Sequence, residues 1–343
     1  MRKLLNTLFV MTPETYLSLD GENVVVNGDS DILLRVPLHT LEGILYFGYK
    51  GASPALMGAC AKRGVAMHFL TPNGRYLASV SGENRGNVIL RKTQYRVSDS
   101  EEDSLKIARC MIAGKIYNSR WVLERATRDY ALRLDLNNLK AVSVALQQKL
   151  PNVMVAQSLD SLRGLEGDAA EMYFGQLDQL VLNQKKEFLF EGRNRRPPQD
   201  NFNALLSFAY SLLANHCAAA LESVGLDSYV GFLHRDRPGR KSLALDLMEE
   251  LRSLFADRFV LTLINNRIVK GKGFVKKENG AVLMTDETKK AVLSAWQERK
   301  QEQIKHPFLD EKIAWGLVPY VQALLLARYL RGDLDAYPPF MWK

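Results

Sequence analysis

A change of hydrophobic period partway along the chain constrains its fold more than any other feature. Up to Val80 the apolar residues fall in short β-prone runs, at residues 5–10, 15–19, 24–27, 32–37 and 43–47. Asp20-Gly21 and Asn27-Gly28-Asp29 supply turns between them. One short helix interrupts the strands, with Ser53 as N-cap, Pro54 in its first turn and Gly64 just past its end. Residues 65–70 and 75–80 then read as a hairpin around Pro72-Asn73-Gly74. From Ser98 onward the spacing is helical: Ile107, Met111, Ile112, Ile116 and Leu123 follow an acidic run, residues 99–103, that suits a helix N-terminus. Further helices are predicted over 141–150, 164–182, 202–224, 242–255, 257–268, 286–304 and 313–330, with a small β interruption at 274–284. The expected class is α+β: a small N-terminal β-sandwich (1–85), an interdomain linker (86–98) and a mostly α-helical domain (99–343) that carries the chemistry.

A chain of 343 residues, 47% hydrophobic and 24% charged, can fill two cores and is not of disordered composition. Its net charge of +8 favours an anionic partner, nucleic acid or an acidic surface, without choosing between them. Three cysteines, Cys60, Cys110 and Cys217, build neither a disulfide framework nor a four-thiolate zinc site, which fits a reducing compartment. The apolar run behind Met1-Arg2-Lys3 ends at Val10 without a small-residue cleavage site, so no signal peptide is expected. Residues 204–221 are apolar enough to suggest a membrane span. Ser207, Ser211, Asn215 and His216 would be costly in hydrocarbon, so the segment reads as a buried helix of a soluble, cytoplasmic protein.

Phosphate loops, dinucleotide fingerprints, HExxH, CxxC and GxSxG elbows are all absent from the sequence. What remains is a set of polar residues within apolar helical segments. Glu166 lies between Gly164 and Gly167, which would let a ligand or another backbone approach its carboxylate; a first-turn carboxylate favoured by the helix dipole is the alternative. His234 sits in the charged turn Leu233-His234-Arg235-Asp236-Arg237-Pro238-Gly239, where a plain surface histidine is equally at home. Asp246 and Glu249 are neighbours on one flank of a stripe drawn by Leu243, Leu247, Leu251 and Leu254. Two such carboxylates repel unless a cation or base lies between them; the alternatives are solvation, or pairing of Glu249 with Arg252. One imidazole and two or three carboxylates suit Mg²⁺ or Mn²⁺ better than a thiophilic ion. Spacing alone does not bring Glu166 to His234.

Several strings together resemble the CRISPR-associated integrase (Cas-one) family. They are Gly231-Phe232-Leu233-His234, Arg237-Pro238-Gly239, the segment from Ser242 to Glu249, Leu165-Glu166-Gly167-Asp168-Ala169-Ala170 with Tyr173-Phe174, and Asn203 to Leu213. Leu4-Leu5-Asn6-Thr7-Leu8 and the segment from Leu17 to Asn23 are similar to the opening of its type I-C branch, and Gly86-Asn87-Val88 with Gln94-Tyr95-Arg96 to its interdomain segment. Glu250 departs from the pattern, standing where many relatives carry proline.

The resemblance implies a homodimer, a complex with a small second CRISPR-associated protein (Cas-two), and Mg²⁺- or Mn²⁺-dependent chemistry on double-stranded DNA. It puts metal ligands at Glu166, His234 and Glu249 and a supporting role at Asp246. The implied reaction is attack of a fragment's 3′-hydroxyl on a phosphodiester of the CRISPR repeat. Candidate phosphate contacts are Lys185, Lys186, Arg193, Arg195 and Arg196, then Arg235, Arg237, Arg240 and Lys241, with Lys270, Lys272, Lys276 and Lys277 as a third group. The competing readings are a metal-dependent nuclease acting on branched DNA in repair, and a non-catalytic DNA-binding scaffold.

Overall fold

The structure, a computed structural model, describes residues 7–12, 14–41, 43–71, 76–80, 88–194 and 196–343. By compactness the chain divides into two units. The first comprises Met1–Arg85, Met284–Glu302 and Ala314–Leu317; the second comprises Gly86–Leu283, Gln303–Ile313 and Val318–Lys343.

In the first unit β1 (Thr7–Val10), β2 (Tyr16–Asp20), β3 (Asn23–Asn27), β4 (Ile32–Pro37) and β5 (Gly43–Phe47) precede helix α1 (Pro54–Arg63), followed by β6 (Ala66–Leu70) and β7 (Tyr76–Val80). β2, β3 and β4 form an antiparallel sheet, and the other four lie in the order β1-β5-β6-β7. β1, β5 and β6 run parallel, and α1 makes the crossover that parallel neighbours β5 and β6 require. Sequence period revealed the strands and the helix but not this parallel pairing. Ser53 caps α1 by accepting from the Leu56 N–H at 3.2 Å, and Gly64 ends it in the left-handed conformation at φ +67°. Leu17, Val24 and Val26 of one sheet share a buried cluster with Ile44, Tyr46 and Met67 of the other, and α1 adds Leu56 and Cys60. The hairpin β6–β7 is present, while its expected turn at 72–74 and the start of the first strand, residues 5–6, lie outside the described residues.

The second unit is mostly helical. Its elements are α2 (Val88–Asp99), α3 (Glu101–Asp129), α4 (Leu136–Met154), α5 (Leu159–Phe174), α6 (Asn201–Ser223), α7 (Ser242–Arg252) and α8 (Arg258–Asn265). The strand pair β8 (Phe274–Lys276) and β9 (Val282–Met284) follows, then α9 (Asp286–Gln301), which clusters with the first unit. The chain ends with β10 (Gln303–Lys305), β11 (Lys312–Ala314) and α10 (Val318–Leu330).

Three expectations shift here. Residues 88–98, expected as linker, are helical in α2; Gly86 and Asn87 lie outside the described residues. α5 stops at Phe174 rather than 182, because Gly175 closes the last turn onto the Glu171 carbonyl and a short 3₁₀ turn, Asp178–Leu180, follows. The two helices expected at 242–255 and 257–268 are one continuous run, in which a π-helical turn, Ser253–Asp257, joins α7 to α8. That widened turn carries Asp257, which is buried. The long apolar helix α6 would suffice in length and composition to cross a membrane, but 61% of its most apolar window is buried inside the fold. Leu205, Leu206, Ala209, Leu213 and Cys217 are among its side chains sealed from solvent.

Candidate functional site

Helix α7 presents two acids, one turn apart, to different partners. Asp246 is fully buried and faces the loop that carries His234. Its carboxylate accepts the backbone N–H groups of Phe232 (2.6 Å), Leu233 (2.9 Å) and His234 (3.0 Å), and meets His234 Nδ1 at 2.5 Å. Gly231 permits that approach, since a Cβ there would lie 2.8 Å from Asp246 Oδ2 and 2.9 Å from Ser242. Asp246 therefore fixes the imidazole and leaves Nε2 as the nitrogen for a ligand, the usual division between an orienting carboxylate and a metal-binding histidine.

Glu249, only 3% exposed, turns the other way. Arg252 donates to its Oε1 at 2.6 Å, the i, i+3 pair raised as an alternative from sequence, and Lys115 Nζ stands 2.6 Å from its Oε2. The same Lys115 ammonium also pairs with Glu166 Oε1. Burial pushes the Glu249 carboxyl up, but Arg252, Lys115 and His234 together outweigh it and hold it down at about 2. Glu166 is partly exposed on α5, and a Cβ at Gly164 or Gly167 would meet nothing within 4 Å, so the space beside this turn is open. Arg163, one turn before Glu166, donates to the Leu233 carbonyl at 2.8 Å and ties α5 to the histidine loop.

The four residues singled out from sequence thus meet around one locus, but Lys115 and Arg252 complete it. Lys115 gave no signal: it is one of two lysines in a 29-residue helix, and only the packing of α3 shows that it is buried among acids. The donors fit a divalent ion in chemistry, since Glu249 Oε2 is buried without an aligned hydrogen bond and His234 keeps one ring nitrogen. Among the described residues, no three His, Cys, Asp or Glu side chains already stand at ligating distance from a common point. The Lys115 cation occupies the space between the two glutamates instead.

Behind the site, Asp257 accepts from the Tyr210 hydroxyl at 2.6 Å. Burial pushes its carboxyl up to about 6, against the pull of Tyr210 and Arg252. The unfolded chain releases this proton near the ordinary value of 3.8, so stability falls as pH rises from about 3.8 to about 6 and is level above that. Asp257→Asn, which keeps an acceptor for Tyr210, is expected to flatten that interval and to be more stable than the parent at pH 8 by up to about 3 kcal/mol. Urea denaturation at pH 4, 6 and 8 checks this; parallel pH profiles for the two proteins would refute it.

Glu250, next to Glu249 on α7, faces the other end of the chain. It is buried and takes the C-terminal segment: Tyr337 Oη and Gln322 Nε2 (3.1 Å) donate to Oε1, and the Phe340 N–H (2.7 Å) donates to Oε2. Burial nonetheless pushes its carboxyl up to about 7.

The basic candidates separate by environment. Lys186, Arg196, Arg235 and Arg237 are exposed. Lys185 is exposed but paired with Asp178 at 2.6 Å. Arg193 turns inward, donating to Asn203 Oδ1 (2.7 Å) and Ser207 Oγ (3.1 Å) and lying over the Tyr210 ring, because α6 offers it polar partners in the interior. Arg240 donates to the Arg235 carbonyl and, at 3.3 Å, to Ser242 Oγ; the Lys241 ammonium lies 6.0 Å over the Tyr229 ring. Arg195 lies outside the described residues. Lys270, Lys272, Lys276 and Lys277 are exposed.

The family model for CRISPR associated protein Cas1 matches residues 8–298. A CRISPR-associated endonuclease Cas1 of Rhodospirillum rubrum is 51% identical and one of Chlorobaculum tepidum 48% identical, each over the full length of both chains. Among solved structures, a casposase bound to integration product superposes with a TM-score of 0.84 at 24% identity, covering 98% of this chain and 94% of that one. A CAS1 protein from Thermotoga maritima superposes with 0.81 at 21% identity, covering 97% and 99%. These two likenesses bear on the fold, whereas the full-length relatives and the family model bear on kinship: this chain belongs to the Cas1 family, the CRISPR-associated endonuclease/integrase of spacer acquisition.

Proposed function

We propose that this chain, within the type I-C branch, joins short DNA fragments into a CRISPR array by attack of a fragment's 3′-hydroxyl on a repeat phosphodiester, with Glu166, His234 and Glu249 holding Mg²⁺ or Mn²⁺. What supports the reading is that Glu166 on α5 and Glu249 on α7 share the Lys115 ammonium, while the His234 imidazole, held by Asp246, acts electrostatically on Glu249. When bound, a divalent ion lowers the pKa of the attacking hydroxyl and neutralises charge on the phosphate. The chain's own groups do the rest. Asp246 holds the imidazole in one orientation, and Arg252 keeps Glu249 ionised inside the fold. Exposed Lys186, Arg196, Arg235 and Arg237 neutralise DNA phosphates, with Lys185, Arg240 and Lys241 in support; Arg193, spent on interior partners, serves the scaffold.

The proposed assembly is a homodimer with the small Cas-two protein, working on double-stranded DNA in the cytoplasm. A solved Cas6-RT-Cas1–Cas2 complex has a chain that superposes on this one with a TM-score of 0.81 at 25% identity. Homodimer formation has a candidate contact in the first unit, where the edge strand β4 exposes Ile32, Leu33 and Leu34.

A half-site integration assay with the partner protein tests this reading. Joined product that requires Mn²⁺ or Mg²⁺ and vanishes with chelator is expected; hydrolysis of branched DNA without joining would favour a repair nuclease. Affinity for duplex should fall with salt at about 0.9 log unit per decade for each phosphate contact. A flat salt response would remove the assigned basic residues from the interface.

A further inference from the structure

Among the described residues, Lys115 is a buried cation that faces the candidate site and that no sequence motif marks. Lys115 projects from the middle of α3 with its side chain 8% exposed, and its ammonium contacts two acids from two other helices, Glu166 and Glu249. A buried ammonium between two carboxylates does electrostatically what a divalent ion would do, since it cancels their repulsion and satisfies oxygens that face inward. It also stands where such an ion would bind. The two cations exclude each other sterically and by charge, because like charges a few ångström apart in a poorly solvated site repel by several kcal/mol.

The fold also supplies a place for the lysine to go. A cavity of about 10 Å³ with mostly apolar walls, Leu146 and Phe174 among them, also takes Lys115, Arg252 and Asp257 into its lining. That is room for one water-sized group, and an ammonium is of that size. Asp257 at its wall is a buried acid whose hydrogen bond runs to neutral Tyr210, while Arg252, which also lines the cavity, is engaged with Glu249. An ammonium arriving there would find a carboxylate with charge to spare.

We propose that Lys115 is the resident counter-cation of the metal-free site, and that a divalent ion binds by exchange, driving the ammonium off Glu166 and Glu249 toward Asp257. This rests on the reading of Glu166, His234 and Glu249 as the ligands. It gives the metal-free protein a neutralised site, and it makes ion affinity depend on a residue that never ligates the ion.

Two measurements on the full-length protein test it, neither of them an activity. In titration calorimetry with Mn²⁺ alone, Lys115→Met is expected to bind about tenfold or more tighter than the parent, because no cation has to leave. Asp257→Asn is expected to bind more weakly than the parent, and to have no such effect in the Lys115→Met background, a non-additivity that isolates the lysine–aspartate coupling. In crystals of the parent soaked with Mn²⁺, located by anomalous scattering, the Lys115 ammonium should lie beyond salt-bridge reach of both glutamates. Mn²⁺ bound with Lys115 still on Glu166 and Glu249, or Lys115→Met binding no tighter, overturns the exchange while leaving the ligand reading standing. No Mn²⁺ bound at these side chains in either protein overturns the ligand reading and the exchange with it. Should Lys115→Met fail to fold, the soaked parent crystals decide alone.

Discussion

Replacing His234 with alanine is expected to lower strand joining by about a thousandfold or more, while thermal stability and duplex binding stay close to those of the parent. The size follows from the role, since a ligand of a catalytic ion that acts on the transition state is worth about 4 kcal/mol of barrier. Folding should tolerate the change, because the imidazole is partly exposed and the Asp246 carboxylate keeps three backbone N–H donors without it. Asp246→Asn separates holding from orienting. It leaves His234 in place but spoils the acceptor that fixes the ring, so a smaller loss of about 10–100-fold is expected. Single-turnover joining by the three proteins, with melting temperatures alongside, is the measurement. Retained joining by His234→Ala at parent level would leave the metal reading without its nitrogen ligand and return the scaffold alternative to the front.

The second large effect concerns the end of the chain. Asn118 is fully buried on α3, one turn beyond Lys115, and it binds two other segments at once. Its Nδ2 donates to the carbonyls of Glu250 (2.7 Å) and Phe340 (2.6 Å), and its Oδ1 accepts the Trp342 N–H at 3.0 Å. Leucine has the same heavy-atom branching, in a bulkier side chain, and no polar atoms. Asn118→Leu therefore strands three buried backbone groups, at roughly 1–3 kcal/mol each, and a loss of about 3–6 kcal/mol is expected. Urea denaturation of the metal-free protein measures it. A loss under about 1 kcal/mol would mean that the C-terminal segment lies free of α3 in solution. Because Glu250 adjoins Glu249 on α7, the same variant should also raise amide exchange around α7, a local readout separate from global unfolding.

How far the sequence reaches is clearest at particular residues. The cap at Ser53 and the stop at Gly64 were legible because each depends on its own backbone and its immediate neighbours. The end of α5 at Phe174 was not, since the residues beyond it have helical spacing while the chain passes through Gly175 into the short 3₁₀ turn Asp178–Leu180. Asp246 and Glu249 were legible as an acidic pair at i, i+3, but their division of labour was not. One faces the histidine loop and the other the lysine of α3, because a helix face distributes neighbours one turn apart among whatever packs on either side. Glu250 read only as a departure from the resemblance; its partners lie about ninety residues away at the other end of the chain.

The sequence by itself determined most of the strands and helices, the α+β class and the kinship with the Cas1 family, because local periodicity and residue identity are properties of short segments. Only the tertiary structure decided that Lys115 and Arg252 neutralise Glu249, that Arg193 is spent inside, and that Asn118 and Glu250 hold the last residues in place. Those decisions depend on charge burial and on hydrogen-bond partners brought together from distant segments, and a buried charge has no energetic meaning until the elements around it have packed.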